Sequence, residues 1–364
     1  MINDLVTDQR VHKVCTTLHD MGYDVLLVGR RRRESLSMNA RKYRTHRMFL
    51  FFEKGPAFYA FFQLRLLFFL LFRRADVLVS NDLDTLWPNF FISKLKGTKL
   101  VYDAHEIFTE VPELAENSAR KKAWKKLEGW LVPKLKHMFT VNNSIAAWYE
   151  KQYGIRPLVV RNMPRLQSEV TVSMTRNELG LPENKRIILL QGAGINIQRG
   201  AEEAVEAMQY VDHAVLLILG SGDVLPLLKE MVKKNKLEEK VIFIPRQPFE
   251  KLQAYTHFAG IGLTLDKDTN INYRFSLPNK IFDYIHAGVP VLASNLVEVR
   301  QVVEKYNVGR IAESHDPREI ARVMTEMLAS PDYETWKSNA ARARTELCWE
   351  QEELQLKSVY SKFL

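Results

Sequence analysis

The stretch RIILLQGAGINIQRG, residues 186–200, passes from an apolar run into Gly192, Ala193 and Gly194, and then through Arg199 and Gly200 into a helix. A short Ile/Leu run that ends in glycine has the punctuation of a buried strand, and glycines placed there let backbone N–H groups turn toward an anion. The start of the following helix adds a favourable dipole. A tight turn that binds nothing carries the same sequence. A second glycine turn, Gly220-Ser221-Gly222-Asp223, follows the next apolar run at residues 214–219.

The same alternation extends in both directions. Downstream, strands are predicted at residues 240–244, 260–265 and 289–293, each followed by a helix; upstream, at residues 23–28, 76–80, 99–103, 138–141 and 158–161. Strands alternating with amphipathic stretches build parallel α/β sheets. Two series of this kind predict two α/β domains, and 364 residues are enough for two cores. Between residues 162 and 183, Pro164, Pro182 and many polar residues interrupt all periodicity. The predicted domains are therefore 1–165 and 166–345, with a helical tail, 346–364, packing back toward the first. A doubly wound domain opens on a central strand, yet only Met1 and Ile2 precede the loop and the helix that starts near Asp8. The first domain is expected to have its first strand missing or truncated, either because the chain starts further upstream or because the sheet is incomplete.

Composition narrows the function classes. Hydrophobic residues at 46% and charged residues at 26% exclude a disordered or fibrous chain. A net charge of +9 favours anionic partners without choosing among them. Cys15 and Cys348 show no metal-ligand spacing, so neither a disulfide framework nor a zinc site is expected. The polar start predicts a protein that stays in the cytoplasm. Residues 55–72 are strongly apolar but contain Gln63 and Arg65, which are costly in a bilayer core, so a buried or interfacial helix is expected rather than a span. Residues 48–74 with Arg30–Arg33 predict peripheral contact with the inner face of a membrane, the plainer alternative being a core helix beside a solvated loop. No aromatic-basic motif points to nucleic acid.

The run SLPNKIFDYIHAGVP, residues 276–290, is more specific. Pro278 suits the first turn of a helix and Gly288 its end. Free amides at the start can grip phosphate, Lys280 adds a cation, and Asp283 one turn on can accept from a ribose diol. An exposed i,i+3 pair between Lys280 and Asp283 would leave the same sequence.

These residues resemble the retaining glycosyltransferases of family 4 (glycosyl transferases group 1), in the subgroup whose donor helix reads PNK-x-F-[ED]-Y-x-x-x-G-x-P. RIILLQGAGINIQRG resembles the family's phosphate loop, GSGD its second loop and NVGRIAE, from Asn307, its closing segment. NDLDTLWP (81–88), VYDAHEIFTEVPEL (101–114), TVNNSIA (140–146) and VVRNMP (159–164) extend the match over nearly the whole chain. The resemblance implies a GT-B fold of two facing Rossmann-like domains. It implies a nucleotide-diphosphate sugar as donor substrate, no cofactor and no metal. Arg199 and Lys280 would hold the pyrophosphate, with Gly192, Gly194, Gly220, Gly222, Ser276 and Asn279 around it. Asp283 would bind the ribose, and His105 would reach the sugar and the reacting centre across the cleft. Asp82, Asp84, Asp103 and Glu106 would line the acceptor side. The sequence departs from the pattern twice: Ala193 stands where many members place an arginine, and the family's paired acidic residues fall on Phe275 and Asp283, so the first is absent.

The implied activity is a metal-independent, retaining hexosyl transfer to a sugar or lipid-linked acceptor, in the synthesis of a cell-surface polysaccharide or glycolipid. The departing phosphate would help deprotonate the incoming hydroxyl, and Asp103 and Glu106 are the candidates if a carboxylate is needed. Asp82 and Asp84 also form a DxD of the kind that holds Mg²⁺ in transferases of another fold. A nucleotide-sugar epimerase of the same fold would convert donor without acceptor, and a non-catalytic membrane-docking subunit would bind nucleotide without turnover.

Overall fold

The computed structural model describes all residues except 3, 4, 7, 33, 34, 36, 54, 116, 117 and 167–173. Arg33 of the basic run and part of the predicted linker lie outside the described residues. The chain divides into two compact units, Met1–Asn162 with Trp349–Leu364, and Met163–Cys348.

The strands of the first unit are β1 (Leu26–Arg31), β2 (Arg44–Phe49), β3 (Val77–Asn81), β4 (Lys99–Ala104), β5 (His137–Thr140) and β6 (Leu158–Val159). Those of the second are β7 (Arg186–Gly192), β8 (Ala214–Gly220), β9 (Val241–Pro245), β10 (Ile261–Thr264), β11 (Val291–Ser294) and β12 (Gly309–Ala312). In the second unit the six strands lie in the order β12-β11-β10-β7-β8-β9, all parallel. Counted from its own first strand, this is the doubly wound order of a Rossmann fold, and the chain changes direction between β7 and β10. Its strands read as continuous apolar runs because both faces are covered: Ile188 and Leu190 pack into one cluster, Ile187 and Leu189 into the other.

In the first unit the described residues form two sheets, a parallel pair β1-β2 and a parallel four-stranded sheet β3-β4-β5-β6. The Met1 nitrogen donates to Val28 O, within β1, at 2.9 Å. Helix α1 (Gln9–Asp20) starts where the Asp8 carboxylate accepts from Val11 N–H at 2.9 Å. The helix Trp349–Tyr360 packs on it: Trp349 Nε1 donates to Thr17 Oγ1 at 3.0 Å, and Trp349, Leu356 and Tyr360 share a core with Val14 and Leu18. Helix α2 (Gly55–Leu71) buries Phe58, Phe62, Leu66 and Leu70, a stripe at four-residue spacing, and packs on α3 (Leu83–Lys96).

Two strands escaped the periodicity. β2, RTHRMF, is mostly polar and buries only Met48 within it, and β12, GRIA, is an edge strand too short to show alternation. The strand predicted at 23–28 lies later, at Leu26–Arg31, and includes two arginines.

Candidate functional site

In open α/β sheets, ligands bind beyond the carboxyl ends of the strands where the winding reverses. In the second unit that place is the exit of β7 and β10, and both predicted cations are there. Arg199, in the loop after β7, has Nη1 3.1 Å from Oδ1 of Asp266, just past β10. Lys280 Nζ lies 3.7 Å from Oδ2 of the same carboxylate. Asp266 is fully buried, and the guanidinium of Arg199 lies over the Tyr273 ring, 4.8 Å from its centre. Burial lowers the Lys280 ammonium more than Asp266 restores it, and Arg199 lowers it further, so Lys280 titrates below an ordinary lysine. Burial opposes the charge of Arg199 too, but Asp266 outweighs it and the guanidinium is raised.

The glycines divide into two kinds. A Cβ on Gly222 would lie 1.9 Å from Ile195 O, and one on Gly220, where φ is +141°, 1.8 Å from Gly192 O. Both are therefore required by the packing of one loop on the other. At Gly192 and Gly194 a Cβ would meet nothing nearer than 3.7 Å, an ordinary van der Waals contact, so packing does not require glycine there. Ser221 N–H donates to Gly192 O and Ile195 N–H to Ser221 O, at 3.1 and 2.9 Å, so these two amides are already spent.

The helix after Pro278 is shorter than its punctuation predicts. It spans Lys280–His286 with Asn279 as N-cap, so Pro278 precedes the helix instead of occupying its first turn. The amides of Ile281, Phe282 and Asp283 donate to Pro278 O, Asn279 O and Asn279 O, which corrects the expectation of several free amides at this end. Tyr284 fixes the helix to the sheet. Its ring rests where a Cβ on Gly262 would be 2.3 Å away, and its hydroxyl lies 3.1 and 3.2 Å from the carbonyls of Leu189 and Leu263. Asp283 Oδ2 accepts from Gln191 Nε2 at 3.2 Å, and Gln191 Oε1 accepts from Thr256 at 2.8 Å. Ser276 Oγ is buried without a hydrogen-bond partner, and Asn279 is exposed.

In the first unit His105, Asp82 and Asp103 gather at the ends of β3 and β4. His105 Nδ1 is 3.4 Å from Asp82 Oδ2 and Nε2 is 3.3 Å from Asp103 Oδ2, while His105 N–H donates to Asp82 Oδ1 at 2.9 Å. Arg10 completes the row, with Nε and Nη2 on the two oxygens of Asp103 at 3.0 and 2.6 Å and Nη1 on Val160 O at 2.5 Å. Burial alone would lower the imidazole, but the two carboxylates raise it to about 9, so His105 is a cation at neutral pH and unsuited to act as a base. Burial raises Asp103 as well, yet Arg10 and then His105 hold it well below the carboxylate range. Asp82 goes the other way, because burial exceeds the help from His105. Its backbone, φ 59° and ψ 166°, is a conformation that costs a non-glycine residue about 1–3 kcal/mol and persists where the surroundings impose it. Asp84 is buried, its carboxyl raised well above normal by burial and then by Asp82, and its Oδ1 has no hydrogen-bond partner. Glu106 is half-buried. Among the described residues no three His, Cys, Asp or Glu side chains are grouped as a metal site.

Sequence reasoning missed Arg10, Gln191 and Asp266. Arg10 and Asp266 belong to no motif, and Gln191, the polar residue that closes the apolar run of the 186–200 stretch, was not singled out within it.

The surface of α2 is unusual. Opposite its buried stripe, Leu64, Phe68 and Leu71 are exposed, and Phe72, just past the end of the helix, is 81% exposed. Arg65, Arg73 and Arg74 lie among them. Arg30 does not join this surface: it is buried, its guanidinium 4.7 Å from the centre of the Phe58 ring, which corrects its place in the predicted basic face. Among the described residues no helix is long and apolar enough to cross a membrane.

Residues 8–164 match Glycosyltransferase Family 4, and residues 173–344 match Glycosyl transferases group 1. A protein of Escherichia coli K12, provisionally assigned as the colanic acid biosynthesis glycosyl transferase WcaI, is 27% identical over 143 residues, 38% of this chain. That match spans about a third of the curated relative, 34% of its length. Among solved structures, the sucrose-phosphate synthase of Thermosynechococcus elongatus matches with a TM-score of 0.78 at 16% identity, over 97% of this chain and 92% of the other. HepE of Anabaena, solved with UDP-glucose, matches with a TM-score of 0.76 at 14% identity, over 100% and 98%. At these identities the two structures establish the fold, which is GT-B.

Proposed function

The chain belongs to the GT-B glycosyltransferases of family 4, and we propose that it transfers a sugar from a nucleotide-diphosphate donor to an acceptor with retention of configuration. The observation that carries this reading is the meeting of Arg199 and Lys280 at the switch point of the second unit. Breaking a glycosyl-phosphate bond leaves negative charge on the diphosphate. A donor group aimed at such charge contributes ~3–4 kcal/mol to lowering the barrier. Arg199 and Lys280 supply that charge stabilisation from side chains, which makes a metal-independent reaction the natural proposal. Asp283, oriented by Gln191, is assigned to the ribose diol. The carbon–oxygen bond to the phosphate breaks as the acceptor oxygen bonds to the same face, and the acceptor proton passes to the departing phosphate. No protein nucleophile is then required. His105 serves the first unit as a fixed cation and hydrogen-bond donor, held by Asp82 and Asp103.

UDP-glucose, the ligand in the HepE structure, is the first donor to try, and the assignment of WcaI to colanic acid synthesis supports a cell-surface polysaccharide or glycolipid as product. In a thermal-shift screen of UDP, GDP and related nucleotides, one diphosphate should raise the melting temperature, since ligand at about 100 times its Kd stabilises by ~2.7 kcal/mol. Arg199→Ala should reduce that shift. A screen without any hit removes the donor assignment.

The acceptor side is proposed to work at the inner face of a membrane. The exposed apolar row of α2, bordered by Arg65, Arg73 and Arg74, suits a bilayer with anionic headgroups, because each basic residue near such a surface adds ~1 kcal/mol. The protein should float with vesicles containing phosphatidylglycerol and not with pure phosphatidylcholine, and Phe68→Glu with Phe72→Glu should abolish flotation. Self-association of the wild type that the same pair of changes abolishes, without vesicle binding, would point to a second copy as the occupant.

A further inference from the structure

Two cations from different elements converge on one buried carboxylate. Arg199 comes from the loop after β7 and Lys280 from the first residue of the helix Lys280–His286, and Asp266 stands between them with one oxygen toward each. At 3.7 Å the Lys280 contact is an ion pair too long for a hydrogen bond, and Asp266 Oδ2 has no hydrogen-bond partner; Arg199 Nε is buried and equally unpartnered. The carboxylate has little freedom. Ser294 Oγ donates to Asp266 O at 2.7 Å, and Lys267 N–H donates to Gln198 O at 3.0 Å, joining the β10 exit to the loop that carries Arg199. At Gly200 a Cβ would lie 2.1 Å from Leu265 O, so the two backbones are already in contact. Two positive charges and one negative leave an excess of one positive charge at this point of the unit.

We propose that Asp266 is a positioning residue that fixes the separation and direction of Arg199 and Lys280 for the two phosphates of the donor. This rests on the assignment of those cations to the diphosphate. Without the carboxylate, two like charges in a partly buried space repel one another and adopt rotamers of their own, and the site loses its preorganisation even though its net charge rises.

The test is calorimetric titration of the full chain with UDP and with GDP, using the tighter binder. Asp266→Asn should weaken binding about tenfold or more. In a variant already carrying Arg199→Ala or Lys280→Ala, the same change should cost less than about threefold, because the group it positions is gone. A purely structural role would keep the full penalty in those backgrounds, and that result would overturn the proposal. Unchanged or tighter binding in Asp266→Asn overturns it as well, since the carboxylate would then only repel the ligand. Should Asp266→Asn fail to fold, Asp266→Glu keeps the charge, displaces it by one methylene and is expected to weaken binding; undiminished affinity there counts against positioning. If Arg199→Ala and Lys280→Ala both bind nucleotide like wild type, the diphosphate assignment itself falls and takes this inference with it, an outcome distinct from a silent Asp266.

Discussion

Arg10→Met should cost the first unit about 3–5 kcal/mol of stability, the range for removing one partner of a buried ion pair. The guanidinium and the Asp103 carboxylate are each 4% exposed, and Arg10 makes three hydrogen bonds to Asp103 and Val160. Methionine fills the space of the stem but leaves a buried carboxylate facing only His105. The pH dependence distinguishes this cause from a packing defect. Asp103 is depressed in the folded chain, so its contribution is present above the unfolded carboxylate value, about 3.9, and is lost as pH falls through the lower folded value. The gap between wild type and Arg10→Met should therefore be widest near neutrality and shrink progressively as pH falls from about 4 towards the lower folded value, because the unfolded carboxylate takes up a proton there and the folded one must give up its pairing with Arg10 to do so. His105, raised to about 9, contributes stability that is full below about 6.5 and is lost as pH rises through its folded value, in both proteins. Urea unfolding at several pH values reads all of this, and a gap that stays constant into acid would refute the electrostatic account.

The second unit was the more legible of the two because its strands are buried on both faces. A parallel strand such as AVLLIL announces itself as an unbroken apolar run, and glycine marks where it ends. β2 could not be found this way, since four of its six residues, Arg44, Thr45, His46 and Arg47, are polar and its place is set by pairing with β1. The candidate site was legible where chemistry lies in a local spacing, as in PNKIFDY. It was opaque where the partner is distant in the chain. Arg10 meets Asp103 across 93 residues and Arg199 meets Asp266 across 67, and no periodicity couples positions so far apart. The glycines illustrate a second limit. Gly192, Gly194, Gly220 and Gly222 look equivalent in sequence, yet a Cβ at either of the last two would collide with backbone and one at either of the first two would not, and only the backbone geometry separates the pairs.

Lys280→Ala should lower kcat by about 10²–10³, the usual loss when a group that stabilises developing negative charge is removed from a preorganised site. Donor affinity should fall less, by about tenfold, because the diphosphate gains charge on its bridging oxygen only as the sugar leaves. Lys280 is a sharper probe than Arg199, because its protonation is itself precarious. Burial lowers its ammonium first, Asp266 opposes that incompletely, and Arg199 adds to it. A lysine depressed in this way loses its charge as pH rises through a value below that of a free lysine, so activity should decline on the alkaline side. The decline comes earlier than in a site built on arginine alone. Lys280→Arg carries a group that stays charged over the whole range, and it should keep measurable turnover while losing that alkaline limb. Release of UDP from UDP-glucose, followed from pH 6 to 10 in wild type and both variants, separates the possibilities. An identical alkaline limb in Lys280→Arg would mean that another group titrates, and a Lys280→Ala variant with undiminished kcat would remove the ammonium from the transfer step.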